Sequence, residues 1–248
     1  GTFTTLGLRS AGSTTITYSS SGLQSVSQTL TIDKATQSLT LTTPTTTLAF
    51  GTAFAVSAVS TSGLPVLITA TGCAVSGTST SSSGSNVSIN PTSSGVNVCT
   101  VTATQTGNDF YTSATTSTSL SIIAKIITIS GLAVANKVYD GTTSATVTSS
   151  AAIISGAGSD VTVDLASLVG VFDNANVGTG KTVTVSGVVL GGSNPNSYNV
   201  VITSPTAAIT KRPVEVTGIT AANKSYDGSA TATPVIGSVA LVNQVVGD

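Results

Sequence analysis

The residues able to do chemistry are few, and their types narrow that chemistry at once. Across 248 residues there are nine Asp and Glu, eight Lys and Arg, two Cys and no His. Without His, neither a Ser-His-Asp nor a Cys-His arrangement can be assembled. Glu215 falls in an expected strand with no second carboxylate near it, so a glycosidase pair would have to be drawn from scattered Asp residues. Gly178-Thr179-Gly180-Lys181-Thr182 has the outline of a phosphate loop, with Ala175 where its first Gly would stand. Such a loop must open a helix whose amides face the phosphate, whereas Thr182-Val183-Thr184-Val185-Ser186 alternates as a strand. A tight turn feeding a strand is the expectation there.

The carboxylates also offer a cation site. Asp140 is followed by Asp160, Asp164 and Asp173, and Asp173-Asn174-Ala175-Asn176 is the best local candidate. Calcium takes about six to eight oxygen ligands, more than any one of these stretches supplies. A turn explains Tyr139-Asp140-Gly141 better: Asp140 accepts a hydrogen bond from the backbone two residues on, and Gly141 takes a positive φ. Tyr139 then packs its ring at an edge of the domain and hydrogen-bonds through its hydroxyl. No catalytic residue, metal or cofactor is expected, and the chain is expected not to be an enzyme.

The same turn recurs. Asn136-Lys137-Val138-Tyr139-Asp140-Gly141-Thr142 returns as Asn223-Lys224-Ser225-Tyr226-Asp227-Gly228-Ser229, an offset of 223 − 136 = 87 residues. Gly131 with Gly218 and Lys125 with Arg212 keep that offset, so a whole unit is repeated and the motif, with Tyr226, Asp227 and Gly228 in its second copy, marks its corner. The strand pattern divides the chain accordingly. Residues 1–34 read as the C-terminal part of a domain, 35–124 as a second domain, 125–211 as a complete copy of the repeat, and 212–248 as the N-terminal part of another. Lys34, Lys125 and Lys211 follow the closing strands, and a new strand pattern begins directly after each. With no flexible linker between units, hinge motion is restricted and a semi-rigid rod is expected.

Composition agrees with an all-β protein. Charged residues make up 7% of the chain, and the 40% hydrophobic content falls in short alternating runs of Val, Ile, Leu and Ala. A net charge of −1 provides no basic patch for nucleic acid or anionic lipid. No apolar run approaches the ~18 residues of a membrane span, no signal peptide opens the chain, and Met is absent. An internal piece of a larger secreted polypeptide, extracellular or at the cell surface, is the expectation. Cys73 and Cys99 lie within one unit, and with no CxxC and no His to complete a metal or redox site, a disulfide fits them better. From Gly77 to Gly95 the chain is nearly all Ser, Thr, Gly and Asn apart from Val87 and Ile89, which predicts a long hairpin or a mobile loop.

Two family resemblances follow. Ser60-Thr61-Ser62-Gly63-Leu64-Pro65-Val66, the two Cys, and the run from Cys99 through Gln105-Thr106-Gly107-Asn108-Asp109-Phe110-Tyr111 resemble a bacterial Ig-like repeat of large surface proteins. That resemblance also implies a Cys73–Cys99 disulfide joining neighbouring segments. Some bacterial Ig-like domains carry a Lys-to-Asn isopeptide crosslink; both residue types are present in residues 125–211 and 212–248, but the sequence locates no buried acid for one. Lys137-Val138-Tyr139-Asp140-Gly141-Thr142-Thr143, with Gly170-Val171-Phe172 and Asn176 to Val183, resembles the YDG domain of bacterial adhesins and filamentous-haemagglutinin-like exoproteins.

Tandem antiparallel Ig-like β-sandwiches joined end to end are therefore expected. The expected role is a non-enzymatic structural repeat segment of a bacterial extracellular surface protein, an adhesin stalk or a fibre or layer subunit acting as a semi-rigid spacer. The alternative is an adhesin module binding carbohydrate or host protein through loops such as 77–95. The partners expected are further copies, associating head-to-tail or laterally, or an unidentified glycan or host surface ligand, with neither nucleic acid nor membrane insertion.

Overall fold

In the computed structural model, residues 10–45, 47–77, 80–81 and 85–247 are described. The chain is nearly all β and falls into two units: residues 1–125 with 194–199, and residues 126–193 with 200–248.

The first unit begins with a hairpin, β1 (Gly12–Tyr18) against β2 (Val26–Ile32). Then follow β3 (Leu39–Thr42), β4 (Leu48–Ala49), β5 (Phe54–Ser60), β6 (Val66–Thr71), β7 (Cys73–Ser76), β8 (Thr80–Ser81), β9 (Ser85–Pro91), β10 (Gly95–Gln105) and β11 (Ala114–Ile123). They form a five-stranded sheet in the order β4-β11-β10-β6-β8 and a four-stranded sheet in the order β3-β5-β9-β7. Two-residue alternation supplies the core from both sheets. Val56 and Ala58 on β5 and Ile89 on β9 are buried, as are Val66, Ile68, Val101 and Ala103 on β6 and β10. The stretch expected as a long hairpin or mobile loop contains β9, which pairs with both β5 and β7 and buries Val87 and Ile89. Those two residues, two positions apart in a polar background, are the alternation of a half-buried strand; residues 78–79 and 82–84 lie outside the described residues.

The disulfide is present. It joins Cys73 on β7 to Cys99 on β10, with Cα atoms 5.5 Å apart, and so ties one sheet to the other. The chain enters it through Gly72 at φ 73°, where a Cβ would stand 1.8 Å from the Val98 carbonyl oxygen. Both the left-handed backbone and that approach require glycine. A polar knot occupies another part of the unit: Gln37 Nε2 donates to Gln105 Oε1 and to the Thr112 carbonyl, each at 2.5 Å, while the Ser60 and Ser62 hydroxyls donate to Gln37 Oε1 at 2.6 Å. Gln105 is thus buried with its side-chain oxygen satisfied.

The strands that follow are β12 (Lys125–Ser130), β13 (Ala133–Val134), β14 (Lys137–Val138), β15 (Ser144–Ala145), β16 (Val147–Thr148), β17 (Ile153–Ser155), β18 (Val161–Asp164), β19 (Val169–Phe172), β20 (Gly178–Ser186), β21 (Val189–Gly192), β22 (Tyr198–Ile202) and β23 (Thr206–Thr210), all in the second unit except Lys125, Tyr198 and Asn199. The longest sheet runs β14-β23-β20-β19-β15, and Ile127, Ile129, Phe172, Val183 and Ile209 are the most deeply buried apolar side chains. The second copy of the repeat adds β24 (Glu215–Thr217), β25 (Thr220–Ala221), β26 (Pro234–Val235) and β27 (Ala240–Val242). Its pairings reproduce the first copy at the 87-residue offset: Ile129↔Ile154 becomes Val216↔Leu241, and Val134↔Val147 becomes Ala221↔Pro234.

Candidate functional site

The repeated motif is a corner held by its own lysine. The Asp140 carboxylate accepts from the Thr142 amide at 2.9 Å and from the Thr142 hydroxyl at 2.8 Å, and Gly141 turns the chain at φ 76°. Lys137 Nζ sits 2.7 Å from Asp140 Oδ1 and donates to the carbonyls of Thr142 at 2.9 Å and Ser144 at 3.1 Å. The ammonium lies 6.0 Å from the centre of the buried Phe172 ring, an electrostatically favourable face for a cation. The preceding residues fasten the corner to the closing strand. Asn136 Oδ1 accepts from the Ala208 amide at 2.7 Å, β14 pairs in parallel with β23, and the Tyr139 amide donates to the Thr210 carbonyl at 2.9 Å.

The second copy separates the local part of this arrangement from the rest. Residues corresponding to Phe172 and Ile209 would fall at 259 and 296, beyond the 248 given, yet Lys224 still meets Asp227 at 2.9 Å and the Ser229 carbonyl at 2.8 Å. Asp227 again accepts from the amide two residues on, Ser229, at 3.0 Å, and Gly228 has φ 74°. The lysine, the aspartate and the amide two residues on are the part of the turn that both copies share. Sequence reasoning named Tyr139, Asp140 and Gly141 and their copies Tyr226, Asp227 and Gly228, but missed the lysines. The signal was available, since Lys137 and Lys224 are inside the repeated motif.

Hydrogen bonding from Lys137, then from the Thr142 amide and hydroxyl, lowers the Asp140 pKa from 3.8 to about 2. Asp227 is lowered as well, by the Lys224 hydrogen bond first and then by the Ser229 amide. A depressed folded-state pKa means that the turn's contribution to stability is complete above the unfolded value near 3.8 and is lost as pH falls toward 2. Lys137→Met should move the Asp140 titration up toward the ordinary carboxylate value, which an NMR titration of its side-chain carboxyl would record. An unmoved midpoint would remove Lys137 from the account.

The run Asp173-Asn174-Ala175-Asn176 directs its oxygens at the chain itself. Lys181 lies in β20 with its side chain 9% exposed, 2.7 Å from Asp173 Oδ1 and 2.8 Å from Asn174 Oδ1. Asn174 and Asn176 donate backbone N–H groups to Asp173 and Asn174 side chains respectively. The lysine of the phosphate-loop-like sequence thus sits in a strand and is paired with a carboxylate. Among the described residues no three of His, Cys, Asp or Glu converge as a metal-binding group. Asp164 accepts from the Ala166 amide at 2.8 Å, another turn, and Glu215 is exposed on β24.

Lys181 and Asn174 are also the geometry from which an isopeptide could form. The Lys181 hydrogen bond holds the Asp173 pKa below its ordinary value, so at neutral pH this neighbour is a carboxylate and not a proton-donating acid. The intact mass of the oxidised chain should accordingly show the loss of the disulfide hydrogens alone; loss of one ammonia would reveal the crosslink.

These corners, each fixed by a lysine and an aspartate, belong to a repeat-built, all-β protein. A family model for the YDG domain matches residues 123–208, so that stretch of the chain is a YDG domain. Neither the curated proteins nor the solved structures compared with the chain include a match.

Proposed function

We propose that the chain is a non-enzymatic structural repeat segment of a bacterial extracellular surface protein, an adhesin stalk or a fibre or layer subunit, in which tandem Ig-like β-sandwiches act as a semi-rigid spacer. The observation that carries this reading is a shared clamp. In the first unit β4 pairs in parallel with β11, and in the YDG domain β14 pairs in parallel with β23. In each case a short early strand is tied alongside the closing strand. A pull along the chain loads such a pair in shear, so its hydrogen bonds resist together and do not open one by one. The motif belongs to the second clamp, because Asn136 and Tyr139 extend it with bonds to Ala208 and Thr210.

Three further features support the reading. Ala124 alone separates β11 from β12, which leaves no linker in sequence. The disulfide suits an oxidising, extracellular setting. The charged groups at the motif serve to hold turns, and the low surface charge leaves strand edges able to associate head-to-tail or laterally.

Single-molecule pulling tests the reading. The expected result is a distinct unfolding peak for each clamped module, with the YDG peak lowered by Asn136→Ala. Extension without a resisting peak would end the mechanical interpretation. Saturable binding to a defined glycan on an array, with no such peaks, would favour the alternative of a carbohydrate- or host-protein-binding adhesin module.

A further inference from the structure

We propose that the Tyr-Asp-Gly turn, besides closing its own domain, is the docking face for the opening strands of the repeat that follows. The inference rests on the reading of the chain as a tandem array and adds the residues by which one repeat engages the next.

The two copies of the turn provide the comparison. Gly141 and Gly228 have nearly the same backbone, with φ 76° and 74°. A Cβ on Gly141 would meet Val245 Cγ1 at 3.0 Å, and Tyr139 is half-buried. The residue over Gly141 comes from the second copy. Tyr139 and Val177 of the YDG domain face Arg212, Val214, Leu241 and Val245 across a cleft of about 400 Å³.

The docked surface is itself built for the purpose. Arg212 Nε donates to the Asn243 carbonyl at 2.6 Å, bracing the corner that carries Val245. Asn243 holds that corner at φ 67°, a left-handed conformation that Asn adopts more readily than most residues. Gly156, the equivalent position in the first copy, has φ 85°, so the corner is part of the repeat and not a feature of one copy. Glycine in the turn therefore has two uses: it permits the positive φ, and it leaves room for the valine of the next repeat. Tyr226 and Gly228 repeat the same turn. Their occupant is another opening half with the chemistry of residues 212–245, a basic residue bonded to a left-handed corner and an apolar residue two positions beyond it.

Hydrogen exchange on the whole chain tests the docking. Tyr139→Ala and Val245→Glu remove it from opposite sides, and each should lower amide protection in β24 and β27 by about tenfold while leaving β19 and β20 protected. Tyr226→Ala, in the second copy of the turn, should change neither region. Loss in only one of the two variants overturns the proposal, because Tyr139→Ala alone could act through its own domain by way of Val177. Spread of the effect to β19 and β20 overturns it as well, as does an unmodified chain in which β24 and β27 show no protection. Pulling experiments report on the clamps within domains, so this docking and the mechanical reading can fail separately.

Discussion

Phe172→Ala is expected to destabilise the YDG domain by about 3–5 kcal/mol, the usual cost of deleting a fully buried aromatic ring. Phe172 is 2% exposed, so truncation leaves a cavity in the core. The loss reaches beyond the cavity. The ring is the face beneath the Lys137 ammonium, and the Phe172 amide donates to the Thr143 carbonyl at 2.8 Å, directly beyond the motif. Truncation thus loosens the residue that fixes Asp140. Set against a total stability of about 5–15 kcal/mol for a small domain, the effect should appear as a large fall in the urea midpoint with little change in slope. Phe172→Leu, which retains apolar volume, should cost less. Equal loss in both variants would mean that the ring itself is not the support described.

The second large effect is confined to the other unit. Opening the Cys73–Cys99 bridge frees a separation of 26 residues, which the chain-entropy relation converts to about 3.5 kcal/mol. The bridge joins β7 to β10 across the two sheets, so its loss also releases the contact that holds the end of the four-stranded sheet. Replacing both cysteines by alanine is the cleaner experiment, because serine at the fully buried position 99 would add an unsatisfied hydroxyl. Thermal unfolding of the double variant should show the transition of residues 35–124 moved down and that of the YDG domain unchanged. A common shift of both transitions would contradict the assignment of the bridge to one unit.

The parts of this structure that a sequence displays are those governed by near neighbours. The Asp140 turn needs only residues two and three positions away, and it forms again at Asp227 where the closing strand has no counterpart in the given sequence. Cys99, Val101 and Ala103 share a parity, and all three are buried. The partners of Gln37 at positions 60, 105 and 112 had no such signal, since topology alone brings them together. Lys181 was legible as part of a glycine-flanked motif, yet its carboxylate partner depends on how β20 returns past residue 173. The parallel clamps were equally hidden, because β14 meets β23 across about seventy residues of chain. The Tyr-Asp-Gly motif likewise gave no sign that Val245 lies against Gly141.

Small-angle scattering of the purified chain over a concentration series tests the spacer account most directly. A compact 248-residue globule has a radius of gyration of roughly 18 Å. The account predicts a radius clearly above that value, an elongated pair-distance distribution, and a narrow set of fitted conformations. A radius near that of a compact globule, or a broad ensemble of freely bending chains, would contradict it.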